Sequence, residues 1–366
     1  MPGFCLDSGA SWGLDAAMWV KPFQSLPRRI FFLAMTGISL ATATAGYSFT
    51  AVYAFGDSLT DTGRNPAGTG YYMGRYSNGP LWIEYLSAML GIPYNASNNL
   101  AISGSTTSNL LAQIATMPPS THLSSALCTV WSGPNDFVAN EGNGLNSAAW
   151  AVTISNMVFN ITNAVGTLYT NGAREVIVGN MANLGQTPYL SSYPPSFAAY
   201  IDTQVALFNS TLASEVTNLM EGSPGLRVYL MNANQLGVQV YNSPASYGFT
   251  VVNIGALDDP SLTNKSFNGP GADYLFWDDI HPTTKMHGYI SDQAYSLVGV
   301  GLNLTASGTG QSLTISNLYP GFQYSVQGST NLVTWTNYQT FTASSTNLTI
   351  PVSGAPPQAA YFRVGY

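Results

Sequence analysis

The sequence predicts an α/β protein, a parallel sheet covered by helices on both faces, followed by a small all-β unit. Three observations carry this. Apolar, β-prone runs alternate with helical patterns from Thr50 to about Leu302, the arrangement that builds a covered parallel sheet. The first of those runs stops abruptly at Gly56-Asp57-Ser58. A strand ending in a glycine turn before a helix puts the turn at the carboxyl edge of the sheet, where open α/β folds bind ligands. Beyond Leu302 helical periodicity disappears and short alternating runs separated by turn residues take over, the pattern of a β-sandwich.

Composition and the N-terminus bound the class. The 366 residues suffice for one large domain and one small one. Charged residues make up 7%, against roughly 25% in ordinary soluble domains, so Asn, Ser, Thr, Gly and Tyr carry the polarity. A net charge of −7, with ten Lys and Arg in all and no basic cluster after Arg29, argues against a nucleic-acid partner. Lys21, Arg28 and Arg29 precede the apolar run Ile30 to Leu40, and Ala43-Thr44-Ala45 follows. That order reads as a secretory signal over residues 1–45 cut after Ala45, with Met18 an alternative start because the flank is long. The segment Arg28-Arg29-Ile30-Phe31-Phe32 also loosely resembles a twin-arginine export signal. The apolar run is short for a bilayer, so no membrane span is expected and the mature protein is placed outside the cell or in the periplasm. Cleavage removes Cys5 and leaves Cys128 alone in ALCTVW, a small buried hydrophobe rather than a nucleophile.

Along the mature chain, strands are expected at Ala51–Phe55, Leu100–Ser103, Ala126–Trp131, Glu175–Met181 and Arg227–Met231. Helices are expected at Pro80–Leu90, Thr107–Thr116, Ala148–Tyr169, Ser196–Met220 and Thr283–Val298. The first has a clear start, with Ser77 and Asn78 as caps and Pro80 in the opening turn. Two stretches, Asn183–Pro195 and Ser243–Phe276, lack regular pattern, and loops of that length in a compact domain are often functional. Residues 303–366 hold alternating runs at Ser312–Leu318, Gln323–Gly328, Thr334–Thr342, Leu348–Val352 and Ala360–Val364. The expected organisation is a signal at 1–45, a main domain at 46–302 and a β module at 303–366.

A serine nucleophile needs a base, an orienter for that base, and donors for the oxyanion. Ser58 sits at the predicted sheet edge. Of the three histidines, His122, His281 and His287, only His281 has carboxylates close by in sequence, in Asp278-Asp279-Ile280-His281. An Asp three residues ahead can fold under the ring and take the Nδ1 proton, leaving Nε2 for the serine; Asp278 has that spacing and Asp279 competes. His287 reads as structural. Gly104 follows the expected strand Leu100–Ser103, and Asn135 follows Ala126–Trp131. With the Ser58 N–H they supply three donors that can converge on one oxygen. No HExxH or clustered Cys/His set is present, so neither metal nor cofactor is expected. A Gly-x-Ser-x-Gly elbow is also missing from the mature domain.

Taken together, FGDSLTDTGR with Ser58, LAISGSTT with Gly104, VWSGPNDF with Asn135 and DDIHPT with Asp278 and His281 resemble the four blocks of the SGNH/GDSL hydrolase family. The stretch Gly74 to Trp82 resembles the branch holding plant GDSL lipases and bacterial lecithinase- or haemolysin-like phospholipases. The likeness spans about residues 50–300. Pro134 departs from the family's usual small residue, and Ser103-Gly104-Ser105 replaces its commoner Gly-Gly-Ala. The resemblance implies a flavodoxin-like three-layer α/β/α fold and metal-free ester hydrolysis. Ser58, His281 and Asp278 would form the triad, and Ser58, Gly104 and Asn135 the oxyanion hole.

The expected activity is a secreted esterase or lipase acting on short to medium acyl esters or lipids. Tyr189, Tyr193, Tyr247, Phe249, Phe267 and Tyr274 in the two long loops either line an acyl groove or pin those loops. Two alternatives stand beside it: an acetylesterase acting on acetylated polysaccharide, and a binding protein with a decayed hydrolase domain. The C-terminal module resembles the small immunoglobulin- or fibronectin-like modules appended to secreted bacterial enzymes. Its Trp335 and Tyr338 either stack on sugars or pack the module core, and its partner is not legible.

Overall fold

Strands β1 (Val52–Gly56), β2 (Leu127–Trp131), β3 (Glu175–Gly179) and β4 (Arg227–Met231) run parallel in the order β1-β2-β3-β4. Their register pairs Val52 with Leu127, Leu127 with Glu175 and Glu175 with Arg227. The computed structural model describes residues 49–118, 121–298, 301–307, 310–316, 318, 323–330, 334–345, 347–351 and 361–365. The expected signal segment at 1–45, with Cys5 and Met18, lies outside the described residues.

The helices follow in chain order as α1 (Trp82–Met89), α2 (Leu110–Ala115), α3 (Pro134–Ala139), α4 (Ser147–Thr170), α5 (Pro188–Ser191), α6 (Pro195–Glu221), α7 (Ala233–Asn242) and α8 (Thr284–Val298). Strand side chains alternate between faces, and this sequence uses both. Val52, Ala54, Leu127, Trp131 and Ile177 pack beneath α1, α7 and α8, through Trp82, Leu86, Leu236 and Ile290. Phe55, Cys128, Val130, Val176 and Val178 pack beneath α2, α4 and α6, through Ile114, Trp150, Ile161 and Phe208. The result is three layers with apolar cores on either side of the sheet. Burial pushes the Cys128 thiol up to about 12, so it is no thiolate nucleophile.

Two local expectations are corrected. Leu100–Ser103 runs beside β1 and donates Leu100 N–H to Ala54 O (2.7 Å) and Ile102 N–H to Gly56 O (3.1 Å), but only Asn99 makes a bridge, to Ala54. Polar side chains bend both of its ends away from a full ladder. Asn99 Nδ2 donates to Thr60 O (2.7 Å), and Ser103 is drawn to Asp61. Nor does a helix follow Ser58. The chain makes one turn, closed by Thr60 and Asp61 N–H on Asp57 O (3.0 and 2.9 Å), before Asp61 caps the Gly63, Arg64 and Asn65 amides. The pattern-poor stretch after Ser243 holds a short parallel pair, β5 (Val251–Gly255) and β6 (Tyr274–Phe276).

The C-terminal strands are β7 (Gly301–Ser307), β8 (Gly310–Ser316), β9 (Gln323–Ser329), β10 (Thr336–Thr342), β11 (Asn347–Pro351) and β12 (Tyr361–Gly365). They form two antiparallel sheets, β11-β8-β7 and β10-β9-β12. Strand β7 was not read from sequence. Leu313, Ile315, Tyr324, Val326 and Phe362 join the same buried cluster as Leu297 and Val298 of α8. Tyr338 is part of this packing, with its ring edge-on to Phe362 and its hydroxyl donating to Pro351 O at 3.0 Å.

Candidate active site

Gly56 is where β1 must end. A Cβ there would lie 2.0 Å from the Trp131 carbonyl oxygen, and φ is +154°, so only glycine permits the approach of β2. Gln113 of α2 then takes both backbone groups of Gly56: the N–H donates to Oε1 (2.9 Å), and Nε2 donates to the carbonyl (2.8 Å). The single turn that follows leaves Ser58 at the sheet's carboxyl edge, 8% exposed.

The partner loop comes from the other end of the domain. Trp277 is buried and anchors it, donating Nε1–H to Gly70 O (3.0 Å) and its backbone N–H to His281 O (2.7 Å). Between them the Asp278 carboxylate is fully used. Oδ1 accepts from His281 N–H (2.6 Å) and Ile280 N–H (3.0 Å); Oδ2 accepts from His281 Nδ1 (2.8 Å) and the Tyr71 hydroxyl (2.7 Å). His281 Nε2 lies 2.8 Å from Ser58 Oγ. With the Nδ1 proton directed at Asp278, Nε2 is left to accept the serine proton. Burial pushes the Asp278 carboxyl up, but the bonds and charge of His281 and the Ile280 amide outweigh it and hold the group below the usual range. Asp279 differs. Its backbone carbonyl accepts from Tyr189 N–H (2.7 Å), and burial with the nearby charges of Asp278 and Asp258 pushes its carboxyl up.

Gly104 on its loop and Asn135 in the first turn of α3 are held near the Ser58 turn by side chains. Asn135 Nδ2 donates to Ser105 O (2.9 Å). Gln113 Nε2, already on Gly56, also reaches Ser105 Oγ (3.2 Å). Buried Asp61 accepts from Ser103 N–H (2.7 Å) and Oγ–H (2.9 Å). Buried Asp136 accepts from Thr107 N–H (2.8 Å) and Oγ1–H (2.7 Å). The two serines that depart from the family pattern are therefore hydrogen-bonding parts of the loop. Gly104 itself is exposed with φ +83°, and its Cβ position is open. No hydrogen bond joins Gly104 or Asn135 directly to Ser58.

Sequence reasoning missed several neighbours. Tyr71 bonds Asp278, and the Tyr76 ring lies 4.7 Å from the His281 ring at an interplanar angle of 37°. Asp57 is buried; Oδ1 accepts from Leu59 N–H (3.0 Å), while Oδ2 has no partner. Burial pushes its carboxyl up to about 7, against the opposing pull of the Leu59 amide and His281. A charge in GDS and tyrosines in an irregular stretch were visible; their burial was not. His287 is buried in α8 with neither ring nitrogen bonded, and burial with the His281 charge drives it down to about 3, so it stays neutral. His122 is exposed in a connecting segment. Among the described residues no group of three or more His, Cys, Asp or Glu could hold a metal ion.

An apolar crevice adjoins the site between α3 and the His281 loop, lined by Phe137, Val138, Leu184, Leu190, Tyr189 and Ile280. Glu141 borders it, its Oε2 accepting from the Tyr189 (2.8 Å) and Tyr193 (2.7 Å) hydroxyls. Tyr189 thus both lines the crevice and pins its loop. Tyr247 and Phe249 pack on Tyr289, Tyr274 bonds Asp259, and Phe267 packs on Tyr72 and Trp277. Those four pin.

Comparisons with known proteins identify the family of this chain. Residues 52–294 match the GDSL-like lipase/acylhydrolase family. Phosphatidylcholine-sterol acyltransferase of Aeromonas hydrophila is 23% identical over 336 residues, covering 74% of this chain and 96% of that protein. A GDSL esterase/lipase of Arabidopsis thaliana is 23% identical over 303 residues, covering 63% and 83%. Among solved structures, an acetyl xylan esterase from Geobacillus stearothermophilus aligns with a TM-score of 0.41 and 15% identity, over 69% of this chain and 97% of that one.

Proposed function

The chain belongs to the GDSL-like lipase/acylhydrolase family and is a carboxylic ester hydrolase, and from that premise we propose that it is a secreted enzyme using Ser58, His281 and Asp278 as a catalytic triad. One observation carries the proposal: Ser58 Oγ, His281 Nε2, His281 Nδ1 and Asp278 Oδ2 form a continuous line with both links at 2.8 Å.

The reaction runs in two steps. Ser58 Oγ attacks the ester carbonyl carbon while Nε2 takes its proton, and Asp278 stabilises the imidazolium formed. The oxyanion is held by the Ser58 and Gly104 amides and the Asn135 side chain; losing one such donor typically costs about 10²–10³ in rate. His281 then protonates the leaving alcohol as the C–O bond breaks. Water, deprotonated by the same nitrogen, releases the acid and restores the serine.

The substrate we assign is a short- to medium-chain acyl ester or lipid. The likeness to a phosphatidylcholine-sterol acyltransferase supports it. Export rests on the Lys21-to-Ala45 pattern, and the β module from 303 onward is read as an appended unit whose core joins that of α8.

A panel of p-nitrophenyl esters from acetate to decanoate, run with the Ser58→Ala and His281→Ala variants, tests the assignment. Both variants should lose nearly all turnover and fluorophosphonate labelling while circular dichroism stays native. Activity persisting in Ser58→Ala would remove the triad. A sharp preference for acetate, with release of acetate from acetylated xylan, would move the substrate to an acetylated polysaccharide.

A further inference from the structure

Two tyrosines from the irregular stretch before α1 reach the triad, on different members. We propose that Tyr71 and Tyr76 are positioning residues that set the basicity of His281 in opposite directions, Tyr71 by hydrogen bonding to Asp278 and Tyr76 by facing the imidazole. The inference rests on the triad reading above and adds two residues outside its four sequence blocks.

The stretch is built to hold them. Tyr72 N–H bonds Ser77 O (2.9 Å) and Ser77 N–H bonds Arg75 O (2.7 Å), closing a tight turn. Met73 sits in left-handed backbone (φ 47°, ψ 42°) at its tip, a conformation costly for a non-glycine and kept only where surroundings enforce it. Arg75 grips Glu84 of α1 with two hydrogen bonds, Nε to Oε2 (2.8 Å) and Nη2 to Oε1 (2.7 Å). The turn is also stapled to the His281 loop. Trp277 Nε1 donates to Gly70 O, Ser77 Oγ donates to Pro282 O (3.0 Å), and Thr284 N–H donates to Asn78 Oδ1 (2.8 Å). Residues 70–78 and 277–284 are thus cross-linked at three points, and the centroids of the two tyrosine rings lie 5.2 Å apart.

Each ring acts on a different partner. The Tyr71 hydroxyl donates to the same Asp278 oxygen that receives the imidazole proton. A second donor there disperses the carboxylate charge, so Asp278 holds the imidazolium less tightly and His281 stays a weaker base. The Tyr76 ring, tilted by 37° to the imidazole with centroids 4.7 Å apart, lies within the range where an aromatic ring attracts a cation. It favours the imidazolium, the state that forms as Ser58 attacks.

Other titratable groups facing the pair are Asp57 on the Ser58 turn, Asp258 after β5, Asp279 beside Asp278, and the neutral His287 on α8. Neither tyrosine substitution touches them.

The test is the pH profile of kcat/KM, whose acid limb reports the free enzyme's base. Activity needs neutral His281, so a stronger base moves that limb to higher pH. Tyr71→Phe should raise it by about half a unit and cut kcat/KM near neutrality several-fold. Tyr76→Leu should lower the limb by about half a unit and also reduce kcat. Tyr76→Phe, which keeps the face, should leave the limb in place. The rate of fluorophosphonate labelling against pH gives a second readout independent of deacylation, and thermal melts report folding. An unmoved limb in Tyr71→Phe, or shifts of the same sign in Tyr71→Phe and Tyr76→Leu, would overturn the proposal. Ser58→Ala measured alongside separates this failure from failure of the triad itself.

Discussion

Asp278→Asn is the substitution whose outcome the geometry fixes most tightly. The carboxylate accepts four hydrogen bonds, two on each oxygen, all from donors. Asparagine offers one oxygen and one NH2. If its oxygen replaces Oδ1, the NH2 faces His281 Nδ1 and the Tyr71 hydroxyl. Nδ1 must then become an acceptor, the tautomer flips, and a proton on Nε2 points at Ser58. If the amide is reversed, the NH2 meets the His281 and Ile280 N–H groups. Each buried donor left unsatisfied there costs about 1–3 kcal/mol, so the first orientation wins and the base is lost. In a serine triad that wrong tautomer lowers kcat by about 10⁴, equivalent to about 5–6 kcal/mol of barrier at 1.36 kcal/mol per decade. Single-turnover acylation with a p-nitrophenyl ester measures it, with Asp279→Asn as the control. The Asp279 carboxyl touches neither ring nitrogen, so that variant should keep near-wild-type acylation. An Asp278→Asn enzyme with more than about a tenth of normal kcat, or a crippled Asp279→Asn, would refute this account.

Two further outcomes follow from the same packing. Gly56→Ala places a methyl group 2.0 Å from the Trp131 carbonyl; the strands must part, and denaturant unfolding should show a loss above about 3 kcal/mol. Asp57→Asn tests linkage: burial pushes the folded carboxyl up to about 7 from an ordinary 3.8. The native state therefore binds that proton more tightly, and stability present below the lower value is lost as pH rises through the higher one. The melting-temperature difference should move in favour of Asp57→Asn across that window, and a constant difference would contradict it.

The parts of this molecule legible in the sequence are those with a local signature. Strand and helix periodicity placed the sheet and its main helices to within a few residues, because β1 to β4 carry apolar side chains on both faces. The Asp278–His281 spacing and the Gly-Asp-Ser turn were equally local, and the structure brings all three side chains together. What escaped depended on contacts across the chain. The Leu100–Ser103 segment has strand composition, yet Asn99 and Ser103 are pulled out of line by Thr60 and Asp61, some forty positions earlier. Tyr71 and Tyr76 carry no periodic signal, and only the fold shows that Trp277 draws their turn over the imidazole. Helix α7 and the β5–β6 pair were missed where Gly, Asn and Ser break the apolar pattern.

The low charge content acquires a physical meaning at the site. Four loops must converge within hydrogen-bonding distance, and burying ions between them would be expensive unless each were fully paired. Most of the cross-links are neutral amides and hydroxyls instead: Gln113 on Gly56 and Ser105, Asn135 on Ser105, Asn99 on Thr60. The two buried carboxylates that do serve, Asp61 and Asp136, are met by backbone amides and hydroxyls rather than by cations. Among the described residues, no cation bonds Asp278 in competition with His281 or holds Ser58 Oγ in place of the imidazole. The same asparagines, serines and threonines that make the sequence look featureless between its motifs fix those motifs in space. Asp57 is the exception, a buried carboxyl with one oxygen unmet, and it sits beside the nucleophile, where a group poised to lose its proton near neutrality alters the field felt by the imidazole.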